Sequence, residues 1–305
     1  MDNASTTFRA GYVAIVGEPN VGKSTLLNAL LGQKISIVTP KPQTTRHKIL
    51  GILSGENYQI VFLDTPGIIK PRYRLQEVMV EAARSAIEDA DVVLLMIDAK
   101  EVDTSTVEER YNHLILLLRP LQKPVLLLLN KIDLIRKSEL LPMIDAFVKV
   151  YPFREIIPIS ALKADGVDDL REALMQFLPE GPPFYPPDIV SGQTERFFVS
   201  EIIREKIFQK FREEIPYSTA VQVVEFRERE KGKDFISAEI YVERDSQKAI
   251  LIGREGRALR EVGFDARREI EEFLGREVYL ELHVKVREKW RDSDAWLKRL
   301  GYTSA

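Results

Sequence analysis

Gly17, Gly22, Lys23 and Ser24 occupy the fixed positions of the spacing G-x-x-x-x-G-K-[ST] within the stretch GEPNVGKS. Each residue type has a chemical reason. Glycines let backbone N–H groups close around phosphate oxygens, and the N-terminus of a following helix adds positive dipole. Lys23 is placed to reach the β- and γ-phosphates of a nucleotide, and the Ser24 hydroxyl to hold Mg²⁺. The expected phosphate cradle therefore comprises Gly17, Glu18, Pro19, Asn20, Val21, Gly22, Lys23, Ser24 and Thr25.

Four later patches complete a nucleotide site. The segment QKISIVTPKPQTTRHK, with its prolines and the pair Thr44 and Thr45, suits a loop more than a packed element. After a phosphate loop it is expected to act as a switch, one threonine closing onto Mg²⁺. The sequence does not choose between Thr44 and Thr45. Next, Asp64, Thr65, Pro66 and Gly67 follow an apolar run; a carboxylate there holds Mg²⁺ through water, and Gly67 offers a backbone N–H to a γ-phosphate. Then Asn130, Lys131, Ile132 and Asp133 follow a second apolar run. The Asp133 carboxylate suits the paired donors of guanine, which adenine lacks, and the Lys131 stem is expected over the base. Ser160, Ala161 and Leu162, after a third run, are expected to present a backbone N–H to the guanine oxygen. Together, in this order, these motifs point to GTP or GDP, with Lys23, Thr44, Thr45 and Gly67 as catalytic candidates and a metal set of Ser24, Asp64 and one of the two threonines, here Thr45.

The elements that must position these residues follow from hydrophobic periodicity. Strands are expected over 12–16, 49–53, 59–63, 92–97, 125–129 and 156–159, and helices over 23–31, 75–88, 106–118, 140–150 and 167–177. This alternation predicts an α/β fold, a doubly wound, mostly parallel sheet over residues 1–178. Ligands in such sheets bind beyond the carboxyl ends of the strands, where the motifs fall. Residues 179–193 are proline-dense and predict a stiff, extended linker.

Residues 194–301 predict a smaller α+β domain, with helices at 194–214, 246–252, 257–274 and 290–300 and strands at 221–229, 234–244 and 278–286. Between two of these helices lies Gly253-Arg254-Glu255-Gly256, followed by Arg257. Glycines there admit close approach of a sugar–phosphate strand, and the helix starting at Arg257 aims N–H groups at a phosphate. Arg254 and Arg257 add charge-assisted bonds, and Ile250, Ile252, Val262 and Ala266 are expected near the bases, most of them as core.

Composition limits the alternatives. The 305 residues exceed one comfortable core and predict two domains. A net charge of −3 argues against wholesale electrostatic attachment to nucleic acid while leaving room for a local patch. With no cysteine and 3 histidines, disulfides and thiolate metal sites are excluded and zinc is disfavoured. The first residues lack the pattern of a signal peptide, and a cytoplasmic protein is expected.

The set GEPNVGKS, PQTTRH, DTPG, NKID and ISA, with the later α-β-β-α-GxxG-α-β order, resembles the Era family of GTPases across essentially the whole chain. The resemblance implies a Mg²⁺-dependent GTPase domain followed by a type II KH domain. It also implies binding to the 3′ region of small-subunit ribosomal RNA, a role in small ribosomal subunit assembly, and action as a monomer. Ile68 stands where Ras-type GTPases place the glutamine that orients water, so that side chain cannot serve here. Asn20 resembles the position that binds K⁺ near the phosphates in some related GTPases, and the resemblance makes it a further catalytic candidate. The competing functions are a metabolic nucleotidase or kinase and a GTPase peripheral to the inner face of the cell membrane, signalling through protein partners. The basic residues of 285–299 favour the latter, and the acidic residues among them oppose it.

Overall fold

The computed structural model describes residues 7–303. They form two compact units: one of residues up to Ser36, Thr45–Lys70 and Met79–Gly192, the other of Ile37–Thr44, Pro71–Val78 and the chain from Gln193.

The first unit is built on six strands, β1 (Arg9–Gly17), β2 (Ile49–Ser54), β3 (Tyr58–Asp64), β4 (Val92–Asp98), β5 (Val125–Asn130) and β6 (Glu155–Ile159), in the spatial order β2-β3-β1-β4-β5-β6. Only β2 runs antiparallel, paired with β3 as a hairpin; the other pairings are parallel. Central strands buried on both faces need no polar alternation. Leu126, Leu127, Leu128 and Leu129 accordingly form an unbroken apolar run, all fully buried. The helices are α1 (Lys23–Leu31), α2 (Arg74–Asp89), α3 (Val107–Leu118), α4 (Lys137–Val150) and α5 (Val167–Phe177). One face of the sheet meets Ala83 and Ile87 of α2, Val107, Tyr111 and Leu114 of α3, and Met143 and Phe147 of α4 in one cluster. Register decides function here. Asp64 lies level with Ile15, Met96 with Gly17, and Asn130 with Asp98, so every motif emerges at the same carboxyl edge.

Two expectations change. The segment 33–48 has no regular secondary structure, yet it is packed: Ile35, Ser36, Thr45 and Arg46 are all buried. Asn28 of α1 holds it, accepting the N–H groups of Ile35 and Ser36 at 3.0 and 2.9 Å and donating to the Ser36 carbonyl at 2.8 Å. The proline-dense stretch is not a free spacer either. The buried Gln59 side chain accepts the N–H groups of Phe184 and Tyr185 at 2.7 and 2.9 Å and donates to the Tyr185 carbonyl. Ile52 donates to the Val190 carbonyl at 2.7 Å, so this strap shields the β2 edge. The stretch 179–192, which the sequence assigns to a linker between 1–178 and 194–301, belongs to the first unit, and the second resumes at Gln193.

The second unit carries α6 (Glu195–Lys210), β7 (Ala220–Arg227), β8 (Asp234–Val242), α7 (Asp245–Ile252), α8 (Arg257–Leu274), β9 (Val278–Val286) and α9 (Asp294–Arg299). The sheet order is β7-β8-β9, with β7–β8 antiparallel and β8–β9 parallel. Val262, Ala266 and Ile270, four apart on α8, join Ile203, Ile207, Ile236 and Ile240 in the core. Two predicted helices shorten. Residues 211–214 leave α6, because Phe211 takes an extended backbone. Residues 290–300 divide at Ser293, whose hydroxyl caps α9 after a tight turn fixed by the buried Trp290, which donates to the Ser218 carbonyl at 2.9 Å.

Candidate nucleotide and RNA sites

The phosphate loop runs from the end of β1 into α1. Gly22 caps α1 with φ of 106°, and a Cβ there would meet the Asn130 amide nitrogen at 2.3 Å. Two independent constraints thus select glycine, backbone conformation and the approach of the guanine-motif loop. Asn20, also at positive φ (64°), is exposed, while Val21 is buried. Lys23 is almost wholly buried; its ammonium donates to the Glu18 carbonyl at 2.9 Å and the Gly17 carbonyl at 3.3 Å. Burial pulls its pKa down to about 8, against the fields of Asp64 and Glu18.

Ser24 stands at the centre of an oxygen cluster. Its Oγ lies 2.7 Å from Thr45 Oγ1 and donates to Asp64 Oδ2 at 2.7 Å, and Ser36 donates to the same oxygen at 3.0 Å. Asp64 is fully buried, and its other oxygen, Oδ1, has no hydrogen-bond partner among the described residues. Burial raises the Asp64 pKa, opposed by the Ser24 hydrogen bond and the Lys23 charge. A buried carboxylate with one oxygen unmet, beside two hydroxyls, is a hard-oxygen set that fits Mg²⁺. Thr44 is not part of it. Its hydroxyl donates to the Lys41 carbonyl at 2.8 Å and lies 2.7 Å from Thr39 Oγ1. Among the described residues no cluster of three or more His, Asp or Glu forms a separate metal site.

The rest of the second patch presses on the loop. Thr65 is buried and donates to the Ile15 carbonyl at 2.8 Å, and Ile68 N–H donates to the Gly17 carbonyl at 3.0 Å. A Cβ on Gly67 would lie 2.6 Å from the Pro19 nitrogen, so this stretch can follow the loop closely only without a side chain. Pro66 lies buried beside it.

Asn130, Lys131, Asp133 and residues 160–162 converge from two neighbouring strands. The buried Asn130 amide donates to the Val21 carbonyl at 2.7 Å and accepts the Ala161 N–H at 2.9 Å, tying three loops together. Asp133 accepts a hydrogen bond from Ser160 Oγ at 2.7 Å, which orients the carboxylate. Leu162 is exposed. Two features differ from expectation. Of the backbone N–H groups of 160–162, one of which is expected to face guanine, that of Ala161 is engaged by Asn130 here. Lys131, at positive φ (66°), directs its ammonium to Asp98 Oδ2 at 2.5 Å. Asp98 was missed because a lone acidic residue closing an apolar strand carries no motif. Its place level with Asn130 is the signal, and only sheet register reveals it.

In the second unit, Gly253, Glu255 and Gly256 all have positive φ (72°, 53° and 75°), and Gly256 caps the 18-residue α8. Arg254, Glu255 and Arg257 are exposed, so the turn presents basic side chains and a helix N-terminus to solvent. A Cβ on Gly256 would meet nothing within 4 Å, whereas one on Gly253 would meet Ala258 Cβ at 2.7 Å. Of the four apolar residues expected near the bases, Val262 and Ala266 are core, Ile252 is half-buried, and Ile250 is exposed.

Comparisons with known proteins place both units in described families. Residues 12–131 match the family model described as 50S ribosome-binding GTPase, and residues 214–291 match a KH domain. GTPase Era of Geobacter metallireducens is 50% identical over 297 residues, covering 97% of this chain and 98% of that protein. The chloroplastic GTPase ERA-like protein of Arabidopsis thaliana is 48% identical over 301 residues, covering 98% of this chain and 70% of that protein. The solved structure of Era in complex with MgGDPNP and nucleotides 1506–1542 of 16S ribosomal RNA superposes with a TM-score of 0.92. It shows 45% identity and covers 97% of this chain and all of that one.

Proposed function

The chain belongs to the Era family of GTPases. On that premise we propose that it binds GTP at the carboxyl edge of the first sheet and hydrolyses it with Mg²⁺. We further propose that its KH domain binds the 3′ region of small-subunit ribosomal RNA during assembly of that subunit. The observation carrying the GTPase reading is the Ser24, Thr45 and Asp64 cluster, with its unmet carboxylate oxygen, directly beside Lys23. Ser24, Thr45 and Asp64 are assigned to the metal, the last through water. The loop 17–25 with Lys23 and the Gly67 N–H is assigned to the phosphates. Asp133 is assigned to guanine, with Asn130 as the brace of its loops. Bound Mg²⁺ offsets the charge of the phosphate oxygens; the protein's own groups orient them.

Ile68 is buried and has no group to orient water. Positive charge along the loop is left to serve the transition state: Lys23 supplies it, and Asn20 is the residue that would hold a K⁺ ion able to add to it. The RNA assignment rests on the turn Gly253, Arg254, Glu255 and Gly256 at the start of α8, in which Arg254 and Glu255 are exposed, with exposed Arg257 behind it. A monomer acting in the cytoplasm completes the reading. Support for the RNA comes from the Era structure with a 16S segment bound. GTP turnover measured with and without a 3′ fragment of 16S ribosomal RNA, in K⁺ and in Na⁺ buffers, tests it. RNA that neither binds nor alters turnover would sink the RNA assignment, and equal rates in both salts would remove K⁺.

A further inference from the structure

Arg110 of α3 grips Glu18, the second residue of the phosphate loop, with both arms of its guanidinium. Nη1 lies 2.6 Å from Oε1 and Nη2 lies 2.8 Å from Oε2. His113, one turn along, brings Nε2 to 3.4 Å from Oε1. Neither residue belongs to a nucleotide motif. The base of this grip is anchored, because Val107, Tyr111 and Leu114 bury the adjoining face of α3 in the core, and the Arg110 guanidinium lies 5.2 Å from the Tyr111 ring centroid. The other end matters for the nucleotide. The Glu18 backbone carbonyl accepts from the Lys23 ammonium at 2.9 Å, so the residue that holds Lys23 is itself held from outside the site.

Two physical effects follow. A fork-on-fork ion pair fixes orientation as well as distance, which a single hydrogen bond does not. Glu18 is also an anion on a loop whose ligand is a polyanion. Unpaired, its field opposes binding; paired with Arg110, the charge is cancelled. We propose that Arg110 is a positioning residue for the phosphate loop: it pins and neutralises Glu18, raising nucleotide affinity and slowing release without touching the nucleotide. The inference rests on the GTP-binding reading of the loop. The Arg110 side chain is 47% exposed, so solvent weakens the pair and its loss leaves the fold intact.

The test uses the full chain, a fluorescent GDP analogue and steady-state GTP turnover. Arg110→Ala raises KM and the GDP release rate by roughly three- to fivefold, the most a half-exposed pair supports, with kcat unchanged. Arg110→Lys recovers part of the loss, since a point charge neutralises but does not grip in two places. In a Glu18→Gln background Arg110→Ala costs almost nothing, because there is no charge left to cancel. Wild-type KM and release rate in Arg110→Ala, or an equal cost in both backgrounds, overturns the inference. A wild-type protein that bound no GDP would instead overturn the reading of the loop.

Discussion

The Ser24 and Thr45 hydroxyl oxygens lie 2.7 Å apart, and Ser24 is hydrogen-bonded in turn to Asp64. The sequence offered Thr44 and Thr45 as equals, adjacent and identical in chemistry. Their partners separate them: Thr45 Oγ1 lies beside Ser24, whereas the Thr44 hydroxyl lies beside Thr39 Oγ1 and donates to the Lys41 carbonyl. Thr45→Ala is expected to weaken Mg²⁺-dependent turnover by about 10- to 100-fold, the range seen when groups around a metal are removed. Thr44→Ala loses a local hydrogen bond to the Lys41 carbonyl and is expected to leave the Mg²⁺ midpoint unmoved. Magnesium titration of GTP hydrolysis in both variants checks this; the reverse ranking would move the ligand to Thr44.

Lys23 gives the pH dependence. Burial lowers its pKa to about 8, and phosphate oxygens beside it would restore the charged form. Nucleotide binding above that pH therefore takes up a proton, and affinity falls as pH rises. Below it, Lys23 is already charged and this contribution is flat. Calorimetry of GDP binding at pH 8.5 to 9, in buffers of different ionisation enthalpy, should show proton uptake that disappears in Lys23→Met. At the acid end, the raised pKa of Asp64 means that Mg²⁺ affinity falls at a higher pH than an ordinary carboxylate would give.

Base recognition rests on Asp133. Asp133→Asn replaces one acceptor by a donor, so guanine loses a pairing and xanthine, with an exocyclic oxygen, gains one. The expected cost for GTP is about 2–3 kcal/mol, that of leaving a buried polar group unpaired. Competition between GTP and xanthosine triphosphate measures it, and an unchanged GTP affinity would remove Asp133 from the base. Ser160→Ala should give a smaller effect of the same sign, because Ser160 only orients the carboxylate.

What the sequence made legible was whatever sterics and period dictate locally. The bounds of α1 and α8 follow from glycines that close them, Gly32 and Gly275 at φ of 66° and 68°. The phosphate loop followed from its spacing. What stayed hidden depends on partners distant in the chain. Gln59 gave no sign that it would bind residues 184 and 185, so a proline-rich strap resembled a spacer. Asn28 gave no sign that it would hold Ile35 and Ser36, so a packed segment resembled an open loop. Arg110 and Glu18 lie 92 positions apart, and no pattern links them.

The two glycines of the KH turn are expected to behave differently, for reasons inside the protein. A side chain on Gly253 collides with Ala258, so Gly253 variants lose the turn itself, and any loss of RNA binding there is ambiguous. A side chain on Gly256 enters open space, at the cost of a left-handed backbone conformation worth roughly 1 kcal/mol. Gly256→Asp adds to this a negative charge at the N-terminus of α8, where a phosphate is expected. Gly256→Asn controls for the backbone, since asparagine tolerates this conformation and carries no charge. Single-stranded 3′ ribosomal RNA should bind Gly256→Asn somewhat weakly and Gly256→Asp far more weakly, while thermal unfolding changes little between the two. For the wild type, neutralising about three phosphates of one strand predicts a salt slope of roughly −2, shallow enough for a chain with net negative charge. Wild-type RNA affinity in a folded Gly256→Asp protein would reduce the turn to a structural feature and place the RNA elsewhere on the domain.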